Sequence, residues 1–388
     1  MPVILATDLI VYFMFFMSAS LVFFALRKEG YIKEVWAHIK RDSLAIVCLS
    51  LLCLYGGVAL MDSIRWRDPL PVEKSSARRN IFSPQPLSIL DRIMAGMREH
   101  SEKTFSAPFA THLYVKETME MPDGKTVRDY PPLKYPRSHW LGTDKVGSDV
   151  LFSALKGIRT GVVIGTGTTI IIIPFAIFFG VLAGYFGGFI DDVIQYIYTT
   201  LSSIPGVLLI VAFMLIFGTA GYQGGLVTED VLLFGVFVPT DRLFWLCVIM
   251  GITFWTDLCR IIRGEALKLR ELEYIQAAHA FGVPDIRIIA RHIVPNLMHL
   301  VLITMALQFS SLVLAEAILS YIGIGVGPET GSWGNMINTA RLELSREPVV
   351  WWSLLGAFIF MFGLVLPANI FADAVRDALD PRTRMGRR

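Results

Sequence analysis

The chain is poor in charge and in cysteine. Only 18% of its 388 residues are charged, the net charge is +2, and there are 4 cysteines. So small a net charge gives no reason to expect a nucleic-acid partner. The cysteines lie in or beside apolar stretches, and their spacing fits neither a zinc site nor a disulfide framework. We therefore predict core thiols and no metal; the residues are Cys48, Cys53, Cys247 and Cys259.

Several functional signatures are also missing. The glycine-rich run that ends at Gly188 has no Lys or Ser/Thr to complete a phosphate-binding loop, so a tight turn is the better interpretation. The first apolar run has no cationic region before it and no small-residue cleavage site after it, which predicts an uncleaved membrane span. No internal repeat of the kind found in ion-coupled secondary transporters is visible.

Long apolar runs, by contrast, are abundant. The chain is 54% hydrophobic, its mean hydropathy is +0.56, and several runs reach the roughly 20 residues that cross a bilayer as a helix. The fold class is therefore all-α, a polytopic membrane protein with about seven transmembrane helices. The predicted spans are 3–26, 44–64, 160–184, 193–217, 242–262, 297–322 and 350–372. The run 231–239 is too short to span and is expected to cap the outer face.

Clusters of basic residues orient these spans. Cations follow the first run in the 27–43 linker, gather again in 260–296, and return after residue 376. Cytoplasmic segments of membrane proteins are enriched in Lys and Arg. Seven crossings place all three clusters in the cytoplasm, with the N-terminus outside and the C-terminus inside.

The segment 260–296 is the longest polar stretch between apolar spans in the second half of the chain. Tyr274, Ala278 and Phe281 recur at helical spacing and predict one short helix with a small apolar face. Gly282 can adopt the left-handed conformation that ends a helix.

A second short helix should follow that bend. Pro284 suits its first position, and Asp285 would lie at the positive end of its dipole. Pro295 is expected to end this helix before the next span begins. The predicted apolar stripe, which excludes Arg287 and Arg291, is Ile286, Ile289 and Ile293. The pattern fits a hairpin that a partner protein grips or an amphipathic loop on the membrane surface.

A second notable segment, 139–160, precedes the third predicted span. Turns are expected at Gly142 and Gly147, with Thr143 and Asp144 capping backbone donors. The alternative is a catalytic role for His139 with Asp144.

Glu316 is the most informative charge within a predicted span. A carboxylate is costly in lipid, so it should face a cavity or a partner. Two interpretations stay open, a structural hydrogen bond and a role in lining a translocation path or permease interface. The candidate residues on this span are Gln308, Ser311, Glu316 and Ser320.

These segments together resemble a known family. The runs 260–265, 274–278 and 292–296, with Gly282 between them, resemble the cytoplasmic coupling loop of bacterial ABC-importer permeases, although the family usually has Glu where this chain has Gln276. The 139–160 segment resembles the signature of the C-type subunit of dipeptide and oligopeptide importers, with Ser148 where that family has Arg. The resemblance covers about Trp140 to Arg382.

The resemblance implies a type I ABC-importer permease fold, with six family-like helices plus one extra N-terminal helix. It implies a non-catalytic permease subunit for peptides, or for another small solute such as nickel, in the bacterial inner membrane. The implied partners are a second permease, two ATPase subunits or domains that bind ATP and Mg, and a periplasmic solute-binding protein. The ATPase-coupling residues it implies are Tyr274, Gln276, Ala277, Ala278, Phe281, Gly282, Pro284, Asp285, Arg287, Pro295 and Asn296.

The predicted organisation has five segments. Residues 1–43 form the extra helix and a cytoplasmic linker, 44–64 a transmembrane helix, and 65–159 a periplasmic loop ending in the signature. Residues 160–373 form the permease core, which includes the coupling loop 263–296, and 374–388 form a cytoplasmic tail.

Overall fold

Long apolar helices make up most of the structure, which is a computed structural model. It describes residues 2–27, 36–37, 39–69, 83, 86–120, 126–217, 229–233, 236–240 and 242–379. Parts of the predicted 27–43 linker and the tail beyond residue 379 lie outside the described residues. In chain order the helices are α1 (Ala6–Arg27), α2 (Ser43–Ser63), α3 (Ile89–Ile93), α4 (Ala95–Glu99), α5 (Val150–Phe186), α6 (Gly188–Ser202), α7 (Gly206–Phe217), α8 (Arg242–Arg270), α9 (Glu273–Ala280), α10 (Asp285–Ile288), α11 (Val294–Ile322), α12 (Trp333–Glu343) and α13 (Trp352–Leu379).

Short antiparallel strands add small sheets to the helices. One sheet has the order β1 (Pro2–Val3), β2 (Arg65–Trp66), β3 (Leu87–Ser88), and so ties the start of the chain to the segment after α2. Two hairpins follow, β4 (Glu117–Glu120) with β5 (Thr126–Asp129), and β6 (Glu229–Leu233) with β7 (Val236–Thr240). The described parts of the apolar run 231–239, which the sequence predicts to be too short to span, lie in these last two strands.

Among the described residues, five helices are long and apolar enough to cross a membrane. They are α2, α5, α8, the helix that runs from Asp285 to Ile322, and α13. Helices α6 and α7 make a sixth crossing if they are counted as one bent span. The apolar stretch Ala6–Met17 of α1 is shorter, so the crossing of the extra N-terminal helix stays a prediction. The protein is a polytopic helical membrane protein.

Two predicted spans have different bounds in the structure. Helix α5 begins at Val150 rather than at residue 160, because the Asp149 carboxylate accepts hydrogen bonds from the first backbone N–H groups and caps the helix. The predicted span 193–217 is not one straight helix, since α6 and α7 meet at 86°. Pro205 lies at the break and has no N–H to continue the helix.

Helices α5 and α8 pack closely through glycines. A Cβ at Gly180 would lie 2.9 Å from the Cys259 carbonyl oxygen, and one at Gly184 would lie 2.6 Å from that of Arg263. The same glycine-rich run turns the chain after α5, where Gly187 has φ of 67°. The run therefore permits close helix contact and also makes the predicted tight turn.

A buried ion pair joins α1 to α5. Asp8 in the first turn of α1 is fully buried, and its Oδ1 accepts a 2.5 Å hydrogen bond from Nη2 of Arg159. Arg159 also donates to Thr7 Oγ1 at 2.7 Å and to Ser63 Oγ of α2 at 3.3 Å. Tyr12 of α1 donates to the Ser63 carbonyl at 2.8 Å. We call Thr7, Asp8, Ser63 and Arg159 the N-terminal cluster; it ties three helices together.

A second polar cluster anchors the 65–149 segment on the spans. The Lys156 ammonium of α5 lies 2.6 Å from Asp62 of α2 and 2.7 Å from Asp91 of α3. Ser88 caps α3 and donates to Asp62 at 2.8 Å. Burial raises the pKa of Asp91, but Lys156 and Ser88 outweigh burial and hold that pKa below its ordinary value.

Candidate functional site

The bend predicted at Gly282 is present in the 263–296 loop. Helix α9 ends at Ala280, and Gly282 has φ of 75°, in the region that glycine adopts without strain. The Val283 N–H donates back to the Ala278 carbonyl at 3.1 Å, which closes the end of α9. Pro284 precedes α10 and does not occupy its first position; its carbonyl accepts from Arg287 and Ile288 instead.

The predicted stop at Pro295 is wrong. Helix α10 continues through a π-helical turn, Ile289–Ile293, directly into α11, so one helix runs from Asp285 to Ile322. Within the turn the Val294 N–H donates to the Ile289 carbonyl. Pro295 has no N–H, and the altered register of the π turn accommodates it in the first turn of α11. The loop is therefore built on a continuous membrane helix.

The loop has one buried face and one exposed face, and neither matches the predicted stripes fully. Ile275, Ile288 and Ile293 are buried against the helical core. Phe281 is 88% exposed and Ile286 is 78% exposed, although Ile286 was predicted to share an apolar stripe with the buried Ile293. These exposed apolar side chains at a helical bend fit either of the two predicted roles, a surface that a partner protein grips or a loop that lies on the membrane surface.

The other predicted loop residues surround this exposed tip. Tyr274 is exposed and its hydroxyl accepts from Asn296 Nδ2 at 3.2 Å, which joins the two sides of the hairpin. Gln276 Nε2 donates to the Glu271 carbonyl and carboxylate, both at 3.3 Å. Ala278 packs on the core. The other predicted residues whose side chains are exposed include Ala277, Pro284, Arg287 and Pro295.

Contacts between distant segments hold the loop against the spans. The Tyr185 hydroxyl at the end of α5 donates to Asp285 Oδ1 at 2.7 Å. Arg270 Nη1 donates to the Tyr185 carbonyl at 3.2 Å. The Arg263 guanidinium makes two hydrogen bonds to the Asp191 carboxylate, at 2.5 and 2.6 Å. The loop is thus fixed to both sides of the turn between α5 and α6. The sequence alone did not predict these contacts.

Glu316 lies inside the protein, 1% exposed. Its Oε1 accepts hydrogen bonds from the hydroxyls of Ser320 and Ser332, each at 2.7 Å. The Ser332 oxygen in turn accepts from Gly334 N–H and caps α12, while the Ser320 oxygen accepts from Val326 N–H. Glu316 therefore organises the connection between α11 and α12.

The four residues predicted on this span do not share one surface. Glu316 and Ser320 are buried, whereas Ser311 is exposed. Gln308 is half-buried and its Nε2 reaches the Phe254 carbonyl at 3.5 Å. The geometry of Glu316 and Ser320 is that of an internal hydrogen-bonded link.

The 139–149 segment has a structural network and no His139–Asp144 pair. His139 is buried and its Nδ1 lies 3.0 Å from Asp149 Oδ2, the carboxylate that caps α5. Asp144 accepts from the N–H groups of Val146 and Ser148, both at 2.9 Å, as a turn-capping residue. Burial raises the pKa of Asp144, although these backbone donors oppose the shift. Within the described part of the chain, no group of three or more His, Cys, Asp and Glu side chains could hold a metal ion.

Comparison with known proteins agrees with this architecture. The oligopeptide transport system permease protein OppC of Bacillus subtilis (strain 168) is 31% identical over 256 residues, which cover 66% of this chain and 75% of that protein. The dipeptide transport system permease protein DppC of the same organism is 29% identical over 259 residues, 67% of this chain and 72% of that protein. The glutathione transport system permease protein GsiD of Pectobacterium atrosepticum is 29% identical over 264 residues, 68% of this chain and 79% of that protein.

A family match covers more than half of the chain. Residues 176–385 match the family described as the binding-protein-dependent transport system inner membrane component. The matched region runs from the second half of α5 through the loop with its exposed tip to the end of α13. The chain therefore belongs to the family of binding-protein-dependent transport system inner membrane components.

Proposed function

We propose that this chain is the permease subunit of an ATP-driven, binding-protein-dependent importer and forms half of the path that carries short peptides across the inner membrane. The relatives named for oligopeptides and dipeptides support peptides as the solute. Nickel or another small solute moved by the same machinery is the alternative substrate class. An ion-coupled secondary transporter is a weaker alternative.

The observation that carries the proposal is the exposed tip of the 263–296 loop. Phe281 and Ile286 present apolar side chains at a bend, and the same hairpin is tied to α5 through Tyr185 and Asp285. A partner that grips the tip is therefore mechanically connected to a membrane helix. This is the arrangement that an importer needs if a separate ATPase subunit drives it.

The partners and the location follow from the same proposal. Two ATPase subunits or domains bind ATP and Mg²⁺ and dock at the tip, a second permease completes the path, and a periplasmic solute-binding protein delivers the solute. The chain itself is non-catalytic and binds no cofactor. The family match and the bacterial relatives support an inner-membrane location, and the charge clusters support a periplasmic N-terminus and a cytoplasmic C-terminus.

Charge placed at the tip tests the docking role. Phe281→Asp exchanges an exposed aromatic anchor for a carboxylate, and Gly282→Asp adds bulk and strain at a left-handed position. Loss of an aromatic anchor at an interface commonly costs about 2 kcal/mol or more, which is over tenfold in affinity. We expect either variant to insert normally, to retain about a tenth or less of the ATPase on affinity purification, and to lose peptide uptake.

The matched control is Phe109→Asp, which changes an exposed phenylalanine of the 65–149 segment. This variant should keep the ATPase bound. Normal ATPase recovery and normal uptake in both tip variants would contradict the proposal.

A further inference from the structure

Helix α6 carries a polar face that no other described element covers. Asp192, Tyr196, Thr199 and Ser203 recur at helical spacing and line one open groove of about 480 Å³, together with Gln195 and Thr200. The opposite face of the helix is packed into the core through Ile194 and Tyr198. The helix is therefore amphipathic, with its polar side exposed along a candidate membrane span.

Contacts with α8 fix the depth of this groove. Asp191 at the start of α6 pairs with Arg263, and Ser202 at its end lies 3.4 Å from the Thr256 hydroxyl. At about 1.5 Å per residue, Thr256 lies about 10 Å farther along α8 than Arg263. The end of α6 is thus well inside the apolar part of α8, away from the basic end that marks the membrane boundary.

The backbone break lies at that same depth. Residues 203–205 separate α6 from α7 and are exposed on the surface of the chain. Irregular backbone within a bilayer is stable only when protein covers it or water reaches it, because lipid satisfies no hydrogen bonds. A polar helix face beside such a break has the same requirement. Lipid therefore does not cover this groove.

The polar groups of the groove that accept no hydrogen bond from a described residue indicate which ligand chemistry it binds. The Asp192 carboxylate and the hydroxyls of Tyr196 and Thr199 make no hydrogen bond to any described residue. The Thr200 and Ser203 hydroxyls donate to the carbonyls of Tyr196 and Thr200, each at 2.7 Å, so their oxygens remain as acceptors. The groove is rich in acceptors and has one negative charge, which complements N–H donors and an ammonium group.

We propose that this groove of α6 is a solute-binding surface within the translocation path, and that it takes the terminal ammonium and the backbone amide groups of short peptides. The inference rests on the proposed permease function and names the residues that contact the solute. Hydroxyls and a carboxylate recognise groups common to every peptide, so the surface accepts peptides of different sequence. The competing occupant is a polar helix of the second permease subunit.

The accessibility of a cysteine introduced into the groove shows whether water or the second permease covers it. Thr199→Cys is introduced into the full transporter complex after replacement of the four native cysteines, and inside-out vesicles are treated with a membrane-impermeant thiol reagent. The control is Leu54→Cys, on the exposed apolar face of α2. We expect labelling at position 199 but not at position 54, with protection by trialanine during ATP turnover. No labelling at position 199 in the assembled complex would overturn the proposal in favour of the second permease.

Transport by isosteric variants tests the contacts themselves. Thr199→Val and Tyr196→Phe each remove one hydroxyl, and we expect trialanine uptake to fall about two- to tenfold, the loss of one hydrogen bond. Val193→Ala on the same helix should transport normally, and all variants should retain the ATPase. Unchanged uptake in both hydroxyl variants would overturn the solute contact. Failure of the unaltered complex to import any peptide would instead refute the proposed function.

Discussion

Replacement of Glu316 by leucine removes the acceptor that organises the link between α11 and α12. Two serine hydroxyls, from Ser320 and Ser332, donate to the same carboxylate oxygen inside the protein. Leucine is close in size to glutamate and adds no bulk, so the main effect is the loss of a partner for these hydroxyls. Leaving a buried donor without an acceptor costs about 1–3 kcal/mol.

The two hydroxyls do not contribute equally. Ser320 lies within α11 and can donate to a backbone carbonyl one turn earlier, as serine does in membrane helices. Ser332 lies outside a helix at the start of α12 and has no such substitute. We therefore expect Glu316→Leu to destabilise the protein by about 1–3 kcal/mol. Glu316→Gln keeps the oxygen that accepts both bonds and should cost under about 1 kcal/mol.

Thermal unfolding of the purified protein in detergent, together with peptide uptake in cells, measures these effects. A double-mutant cycle with Ser332→Ala isolates the coupling between Glu316 and Ser332, because the Ser332→Ala single variant separately measures the loss of the α12 cap. A leucine variant with wild-type stability and uptake would refute the reasoning. A glutamine variant that is stable but inactive would show that the charge itself serves transport.

Two further predictions concern the N-terminal cluster and the orientation of the chain. Asp8→Asn removes the ion-pair partner of the buried Arg159 and should destabilise the protein by about 3–5 kcal/mol, whereas Asp8→Asn with Arg159→Gln should recover part of that loss. Thermal unfolding measures both effects, with the exposed Asp129→Asn as the control. An Asp8→Asn variant as stable as the wild type would contradict the prediction. In intact cells, an impermeant thiol reagent should label Val146→Cys and should label Lys268→Cys only after the membrane is opened; the reverse pattern would contradict the proposed topology.

Hydrophobic run length and glycine positions predicted much of the fold. The apolar runs at 44–64, 242–262 and 350–372 each coincide with one long helix to within two residues, except where the last two helices continue beyond the run. The bend at Gly282 followed from the backbone freedom of glycine, and the observed φ of 75° has the predicted sign. These features depend on local properties of the chain, which explains why the sequence alone was sufficient for them.

Features that depend on contacts between distant segments could not be predicted in the same way. Tyr185 and Asp285 are far apart in sequence, and neither side chain signals that it meets the other. The π turn before Pro295 and the exposure of Ile286 depend on how α10 lies against the core. The break at Pro205 lies inside the predicted span 193–217, and its 86° angle depends on the packing of α6 and α7 against α8.

One helix, α5, extends between two opposite ends of the protein. Arg159 of the N-terminal cluster and Tyr185, which contacts the loop, belong to this one helix. At about 1.5 Å per residue they are about 39 Å apart, more than the roughly 30 Å hydrocarbon thickness of a bilayer. A shift of Tyr185 along the helix axis therefore also moves Arg159, because both residues belong to one continuous helix. No contact between packed helices has to transmit the movement. Pro174 lies between them and removes one backbone hydrogen bond, so helix α5 bends at this point more readily than it changes length.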